Sequence, residues 1–335
     1  MRFNWNFAGL LAAIFLGCAG LSFPTILHSQ NAAPAAQIKS QVEIVGVNAS
    51  VIGANGNFVA DLKKENFHIL DDGTERPITV FNPVESPAQV FVLVETSPAV
   101  YLIHTQHLIA AAYLFDGLAE NDQAAIATYS QSIQLILPMT SNKSLLGGAL
   151  NHLEYSMGMG DLNLWQSIST ALDWLAPIPG KKSIVLLSTG LDSSPAINWQ
   201  NLQMKLRASD TTIFTVALGG ELRSAKPANK SKSKQNLSIN LNFEESDRNL
   251  HTVADLTGGR AYFPKNLHAF PQIYRQVALI LRHQYIIGFE PAPHDGRYHL
   301  IQLQVLDSTG HLLAPSTGKA VFQVFARPGY QSPAP

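Results

Sequence analysis

The amino-acid sequence predicts a doubly wound α/β domain with a mostly parallel sheet, inserted in a small β-sandwich. Three observations support this prediction. Short apolar runs rich in β-branched residues, at 90–94, 183–187 and 212–218, are typical of strands buried on both faces of a parallel sheet. Segments with helical periodicity alternate with these runs between residues 88 and 283. Shorter strand patterns separated by turn signals flank this region on both sides.

The two flanking segments, residues 40–87 and 284–330, are each too small to fold alone. The first has strand patterns around an Asp-Asp-Gly turn at 71–73, and the second has strand patterns at 285–289 and 298–305. An isolated hairpin is marginally stable in water, and the two ends of a domain often lie close together. We therefore expect both segments to pair into one sandwich, with residues 88–283 as the inserted α/β domain.

The first 36 residues have the pattern of an export signal followed by a short linker. Arg2 gives a positive start, and residues 7–23 are almost all apolar or small. A retained membrane anchor is the alternative, because a run of ~17 residues reaches the lower limit for a spanning helix. Cys18 is the single cysteine, so lipidation there is a further alternative. The protein is expected in the periplasm, at the cell surface or outside the cell, with membrane attachment only through an uncleaved signal or a lipid on Cys18.

Composition excludes several classes of protein. Of the 335 residues, 46% are hydrophobic and 14% are charged, which indicates a globular protein with a sizeable core. The net charge is −1, so no overall field attracts nucleic acid or anionic lipid. The sequence contains no G-x-S-x-G, H-E-x-x-H, P-loop or paired-cysteine zinc pattern. A nucleic-acid partner is not predicted.

Polar residues follow the first central strand. Glu95 and Ser97 come directly after the apolar run at 90–94. The carboxyl ends of the strands in an open α/β sheet are where such folds bind their ligands. The sequence therefore predicts a binding site at this edge of the sheet.

Several segments, in the same order along the chain, resemble the VWFA-related family of exported bacterial proteins of the Acidobacteria type, which contain a von Willebrand factor A domain. The loop 95–99 resembles the first metal loop of that domain. The other segments each match one feature of the family. They are an acid-Gly turn in 59–73, a strand that begins after Asp in 121–130, a Thr-Gly-Gly step in 256–263 and two C-terminal signatures in 282–291 and 327–330. The resemblance implies a von Willebrand A-like fold.

This resemblance also implies a metal-ion-dependent adhesion site whose oxygen ligands come from three loops. The family pattern in the first loop is Asp-x-Ser-x-Ser, whereas this chain has Glu95, Ser97 and Ala99. In the third loop Thr189 stands where the family has a ligand Asp. A divalent cation needs about six hard oxygen donors, and this chain has lost two of the usual ones.

Two interpretations of the altered loops remain open. In the first, the site is vestigial, and its residues make only local hydrogen bonds. In the second, Glu95, Ser97, Asp161 and Asp192 form a rearranged site for Mg²⁺ or another divalent cation. We favour the first interpretation and predict a degenerate, unoccupied site; no other cofactor is predicted.

A basic loop is expected at the same edge of the sheet. Residues 221–247 follow the strand at 212–218 and show no core pattern, so they predict a flexible loop. One interpretation is a solvated surface insertion. The other is a partner-binding surface for an acidic group, formed with Thr189 by the lysines Lys226, Lys230, Lys232 and Lys234.

Together these features favour a non-catalytic binding or adhesion module. Its partner would be a protein or a cell-envelope component, recognised through the C-terminal face of the sheet. One alternative is a structural protein of an envelope assembly. Another is a hydrolase that uses Glu95 and Asp192 as paired acids, which would require both carboxylates to converge on one pocket.

Overall fold

Strands from both ends of the chain pair with each other, as the sequence predicts. The computed structural model describes residues 44–53, 57–101, 106–155, 161–194, 197–220, 223, 243–291, 294–307, 310–312, 322–332 and 334. The predicted export signal with Cys18 lies outside these residues, as do Lys226, Lys230, Lys232 and Lys234.

The strands fall into an outer set from the two chain ends and a central set between them. The first outer strands are β1 (Val45–Gly53), β2 (Phe67–Asp71), β3 (Thr74–Arg76) and β4 (Ile78–Asn82). The central strands are β5 (Ala88–Glu95), β6 (Gln123–Tyr129), β7 (Ile133–Thr140), β8 (Lys181–Ser188), β9 (Thr212–Ala217) and β10 (Ala261–Tyr262). The last outer strands are β11 (Tyr285–Phe289), β12 (Tyr298–Val305), β13 (Phe322–Phe325) and β14 (Gly329–Gln331).

The outer strands form two four-stranded antiparallel sheets, in the orders β13-β1-β11-β4 and β14-β12-β2-β3. Each sheet therefore contains strands from both ends of the chain. Apolar side chains from both sheets share one core, in which Val47, Ile69, Tyr285 and Ile287 are fully buried. The sandwich can form because each segment supplies the partners that the other lacks.

The central sheet has the order β10-β9-β8-β5-β6-β7. All neighbours are parallel except β7, which runs antiparallel to β6. Strand β5 lies in the middle, and the chain moves outward from it first on one side and then on the other. Such a reversal of strand order creates a ligand-binding crevice at the carboxyl ends of the strands.

Helices cover both faces of this sheet. They are α1 (Pro98–Tyr101), α2 (Gln106–Gly117), α3 (Lys143–Asn151), α4 (Leu164–Leu175), α5 (Trp199–Ala208), α6 (Phe243–Leu256) and α7 (Phe270–Arg282). Alternate residues of β5 point to opposite faces: Val90, Val92 and Val94 pack with α2, α3 and α7, whereas Phe91 and Leu93 pack with α4, α5 and α6. The continuous apolar run of β5 follows from this burial on both faces.

Helix α6 corrects the predicted loop. It begins at Phe243, so residues 243–247 are helical and do not belong to a loop that extends to 247. Glu244 and Glu245 lie in the first turn, where acidic side chains interact favourably with the helix dipole. Leu250 and Val253 are fully buried against the sheet and anchor the later turns. Helices α4 and α7 belong to the alternation of strands and helices that the sequence predicts between residues 88 and 283.

A buried arginine joins the sandwich to the central domain. Arg327 follows β13 and donates to the backbone carbonyls of Ser209 (2.6 Å) and Arg207, at the C-terminal end of helix α5. It also donates to Gly329 at 2.8 Å, and burial lowers its pKa to about 10. On β1, Asn48 Nδ2 donates to Thr212 Oγ1 at 2.9 Å.

Within the described ranges, no helix is long and apolar enough to cross a membrane.

Candidate functional site

Glu95 forms the centre of a buried polar network at the carboxyl end of β5. Its side chain is 0% exposed. Oε1 accepts hydrogen bonds from Ser97 Oγ at 2.6 Å and from Thr189 Oγ1 at 2.9 Å. Oε2 accepts from the backbone N–H of Thr189 at 2.6 Å and from Ser188 Oγ at 3.2 Å. The carboxylate is therefore surrounded by donors from two loops of its own chain.

Tyr129 completes this network from the neighbouring strand. Its hydroxyl lies 3.1 Å from Glu95 Oε2 and 2.7 Å from Ser188 Oγ. Burial, with the nearby Glu95 carboxylate, raises the pKa of Tyr129 well above its usual value. The phenol therefore keeps its proton and remains a hydrogen-bond donor. Ser188 Oγ in turn accepts from the backbone N–H of Gly190 at 2.8 Å.

Strand register explains why these residues meet. Glu95 pairs directly with Tyr129 in the parallel β5–β6 ladder, and Val94 pairs with Leu187 of β8. Ser188 is the next residue and the last of β8, so it lies level with Glu95. The predicted site did not include Tyr129. Its signal in the sequence was a polar aromatic residue at the last position of a mostly apolar strand.

The turn after β8 requires glycine at position 190. Gly190 has φ of +78°, a conformation that side chains rarely adopt. A Cβ atom there would lie 2.9 Å from Leu250 Cδ1 and 3.1 Å from Ser246 Cβ, both on helix α6. This close approach presses the 188–192 loop against helix α6 and fixes the donors that face Glu95.

Asp192 lies at the N-terminus of helix α4. Its Oδ1 accepts from the backbone N–H of Leu164 at 3.2 Å, while the N-cap residue Asn163 makes no side-chain cap bond. Burial raises the pKa of Asp192 from 3.8 to about 6, and the nearby charge of Asp161 acts in the same direction. Asp192 thus supplies the acceptor that an N-cap side chain normally provides.

The predicted metal ligands fall into two groups. Glu95 and Ser97 belong to the buried network, whereas Asp161 and Asp192 lie at the start of helix α4. Among the described residues, no hydrogen bond joins Glu95 to either aspartate. Two hydrogen bonds between Leu162 and Ser193, of 2.8 and 3.0 Å, connect the loop before helix α4 to the loop after β8.

The predicted partner-binding residues could be placed only in part. Thr189 is 1% exposed, so a partner would meet the loop around it and not its side chain. The lysines of the basic loop lie outside the described residues. Arg223, near the start of that loop, donates to the carbonyls of Thr189 (2.6 Å) and Leu218. It also pairs with Asp247 at 2.8 Å and lies over the ring of Phe243, 4.6 Å from its centroid.

Arg223 therefore connects the third loop to helix α6. The sequence indicated a basic run after β9, and nothing in the pattern singled out its first arginine as the one directed inward. A guanidinium offers five donors in a fixed plane, and here it uses them on carbonyl oxygens, a carboxylate and an aromatic face. The result is a positive charge beside the loop that encloses Glu95.

Comparisons with known proteins assign no function to this chain. No protein-family model matches the chain, and no curated protein matches it. Similar solved structures include a von Willebrand factor type A protein from Catenulispora acidiphila, with 12% identity, a TM-score of 0.46 and coverage of 85% of this chain and 74% of that one. The predicted fold class, a mostly parallel α/β sheet inserted in a sandwich of N- and C-terminal strands, is confirmed by the strand orders.

Two Bacteroides proteins are similar over more than half of this chain. One is an aerotolerance-related membrane protein from Bacteroides fragilis, with 15% identity and a TM-score of 0.44; it covers 57% of this chain and 98% of that one. The other is BatB from Bacteroides thetaiotaomicron, with 13% identity, a TM-score of 0.42 and coverage of 58% and 98%. Similarity at this level transfers neither ligand nor partner.

Proposed function

We propose that this chain is an exported, non-catalytic binding module that recognises a protein or cell-envelope partner at the C-terminal edge of its central sheet. In this proposal the Glu95 network takes the place of a bound cation and holds the loops of that edge in one arrangement. The observation that carries the proposal is the saturation of the Glu95 carboxylate by donors of its own chain.

Saturation argues against a cation at Glu95. A carboxylate offers about four lone-pair sites, and hydroxyl and amide groups from Ser97, Tyr129, Ser188 and Thr189 already approach its two oxygens. A divalent cation would need these oxygens free, with several further oxygens directed at it. The backbone nitrogen of Thr189 lies 2.6 Å from Glu95 Oε2. A cation at this oxygen would repel the partial positive charge of the N–H proton.

Burial of Glu95 also argues against the hydrolase alternative. A paired-acid mechanism needs both carboxylates to reach one substrate atom. Glu95 is 0% exposed and its oxygens are engaged, while Asp192 bonds the first turn of helix α4. Neither acid is free to serve a substrate in this arrangement, which supports binding over catalysis.

The rim above this network is the surface that we propose for the partner. Asp161 and Ser193 are exposed, and the hydrogen bonds between Leu162 and Ser193 hold their loops together. A pre-ordered rim loses little conformational entropy on binding. The lysines from 226 to 234 remain a predicted contribution to this surface.

The experiment is a quantitative capture of partners from the cell-envelope fraction of the source organism, in the presence of EDTA. The rim variant is Asp161→Lys combined with Ser193→Lys. The matched control is Glu120→Lys, an exposed residue just before β6, at the opposite edge of the sheet.

We expect one partner to be retained by the wild-type chain and by Glu120→Lys, and lost from the rim variant. A partner that the rim variant retains and Glu120→Lys loses would refute the assignment of the surface. Loss of capture when EDTA is present would refute metal independence.

A further inference from the structure

A second group of acids lies in the sandwich and not in the central sheet. Asp71 ends β2, Asp72 begins the turn to β3, and His299 lies on the neighbouring strand β12. Two hydrogen bonds fasten this turn to β12: Asp72 N to the Leu300 carbonyl at 2.9 Å, and Leu300 N to Asp72 Oδ1 at 2.8 Å. The backbone thus fixes both aspartates next to the histidine.

Each aspartate has one oxygen bound by the protein and one directed at His299. Asp71 Oδ2 accepts from Arg76 Nε at 3.1 Å and Tyr330 OH at 3.2 Å. Asp71 Oδ1 is buried without a hydrogen-bond partner among the described residues, in a side chain that is 1% exposed. Asp72 binds Leu300 through Oδ1, and its Oδ2 lies 2.9 Å from His299 Nδ1.

The histidine ring is held from its other side. Nε2 lies 3.0 Å from Asp295 Oδ1, and the ring stacks on Tyr330 with centroids 5.4 Å apart and planes 24° apart. A carboxylate on the far nitrogen of a histidine is the usual way to orient a metal-binding imidazole. In this chain it directs Nδ1 toward the free oxygens of Asp71 and Asp72.

We propose that Asp71 Oδ1, Asp72 Oδ2 and His299 Nδ1 bind a first-row divalent cation such as Zn²⁺, with Asp295 as the residue that positions the histidine. These atoms lie within 4.8 Å of one another, and Nδ1 is 3.4 Å from Asp71 Oδ1 and 2.9 Å from Asp72 Oδ2. Zinc bonds to nitrogen and oxygen measure about 2.0–2.2 Å, which places two ligands of one ion roughly 3–3.5 Å apart.

The ligand types and access also fit such an ion. Imidazole favours zinc and related ions over Mg²⁺ or Ca²⁺, and two carboxylates neutralise the charge of the cation. The side chain of Asp72 is 51% exposed, which leaves an entry path and room for water as a fourth ligand. The unpaired Oδ1 of buried Asp71 would gain the partner that it lacks.

A proton on His299 Nδ1 would compete with the cation, because both would lie between the imidazole ring and the two aspartates. The hydrogen bond to Asp295 raises the pKa of His299. A protonated ring would pair with Asp72 and Asp71, and the experiment must therefore separate a bound metal from an ion pair alone. The site is independent of the Glu95 network, so its failure would leave the proposed function untouched.

The experiment uses the full-length chain after removal of metals, with Zn²⁺ titrated in competition with a chromophoric chelator. Co²⁺ serves as a spectroscopic probe of nitrogen and oxygen ligation. The variants are His299→Gln, Asp72→Asn and Asp295→Asn. Asp72 has φ of +48°, which asparagine also tolerates, so Asp72→Asn tests the site even if His299→Gln unfolds the sandwich.

Two matched controls accompany these variants. His68→Gln removes another histidine of the same sheet, which pairs with a single acid, Glu75, at 2.6 Å. Glu95→Gln alters the network of the central sheet.

We expect one Zn²⁺ per chain, lost in His299→Gln and Asp72→Asn. Asp295→Asn should weaken binding about 10- to 100-fold, and both controls should bind as the wild type does. Absence of Zn²⁺ binding in the wild type would overturn the proposal. Equal affinity in Asp72→Asn, or loss of binding in His68→Gln or Glu95→Gln, would also overturn it.

Discussion

Glu95 and Asp71 are both buried carboxylates at the ends of strands, 0% and 1% exposed, yet their surroundings differ. Both oxygens of Glu95 accept hydrogen bonds from hydroxyl and amide donors. Asp71 has one oxygen with two donors and one with no hydrogen bond, next to a second acid and a histidine nitrogen. The supply of donors, and not the number of acids, therefore separates a closed polar network from a candidate cation site.

The difference follows from where each acid lies in its sheet. Glu95 ends a strand with parallel neighbours on both sides, and the polar ends of β6 and β8 face it. Asp71 ends a strand of a small antiparallel sheet whose turn leads to solvent, and Asp72 is half exposed. An enclosed carboxylate must be satisfied by protein groups, because unpaired burial is costly. Asp71 is buried too, but the exposed Asp72 beside it leaves a path by which an ion can enter from water.

The largest expected effect is that of Glu95→Ala. It would leave the backbone N–H of Thr189 and the hydroxyls of Ser97 and Thr189 buried without the acceptor that they now have. We expect a loss of about 3 kcal/mol or more in the free energy of unfolding. Urea unfolding followed by circular dichroism measures it. Glu95→Gln keeps the volume and one acceptor oxygen and should lose clearly less; equal losses would contradict a role for the network.

Tyr129→Phe should have an intermediate effect. It removes the hydroxyl between Glu95 and Ser188, and we expect a loss of about 1–2 kcal/mol in the free energy of unfolding. Tyr274→Phe is the matched control, because that hydroxyl is fully buried and has no hydrogen-bond partner among the described residues. Its removal should leave stability unchanged or raise it. The same loss in both variants would contradict a specific contribution of the Tyr129 hydrogen bonds.

The smallest expected effect is a pH-dependent one at Asp192. Its pKa is raised from 3.8 to about 6, so the folded state binds this proton more tightly than the unfolded chain. The contribution of Asp192 to stability is therefore fully present below pH ~4 and is lost as the pH rises toward ~6.

Asp192→Asn keeps the acceptor for Leu164 and cannot ionise. It should be slightly more stable than the wild type above pH 6, and the difference should vanish near pH 4. Thermal melts across this range in EDTA test the prediction, and a variant that is less stable at pH 7 would contradict it.

The sequence predicted the fold well because periodicity reports burial. The apolar run of β5 indicated a strand covered on both faces, and the packing of Val92 and Phe91 on opposite helical layers confirms it. Pairing of the two chain ends was predicted because neither segment could be stable alone. The predicted loop at 221–247 extended too far, because the polar residues in the first turn of helix α6 show no core pattern.

The site was predicted less completely, because side-chain partners depend on strand register. Nothing in the local sequence shows that Tyr129 lies opposite Glu95, or that Arg223 reaches the carbonyl of Thr189. The group of Asp71, Asp72 and His299 was missed for the same reason, since 227 residues or more separate the acids from the histidine and only the β2–β12 pairing brings them together.

The most direct test of the account is the melting temperature of the His299→Gln variant with excess Mg²⁺, Mn²⁺ or Ca²⁺, against the same protein in EDTA. This background removes the proposed site in the sandwich, so any remaining shift reports on the central sheet. A cation at a hundredfold excess over its dissociation constant would stabilise the native state by about 2.7 kcal/mol. The account predicts no shift. A rise of several degrees that Glu95→Gln or Ser97→Ala abolishes would contradict it.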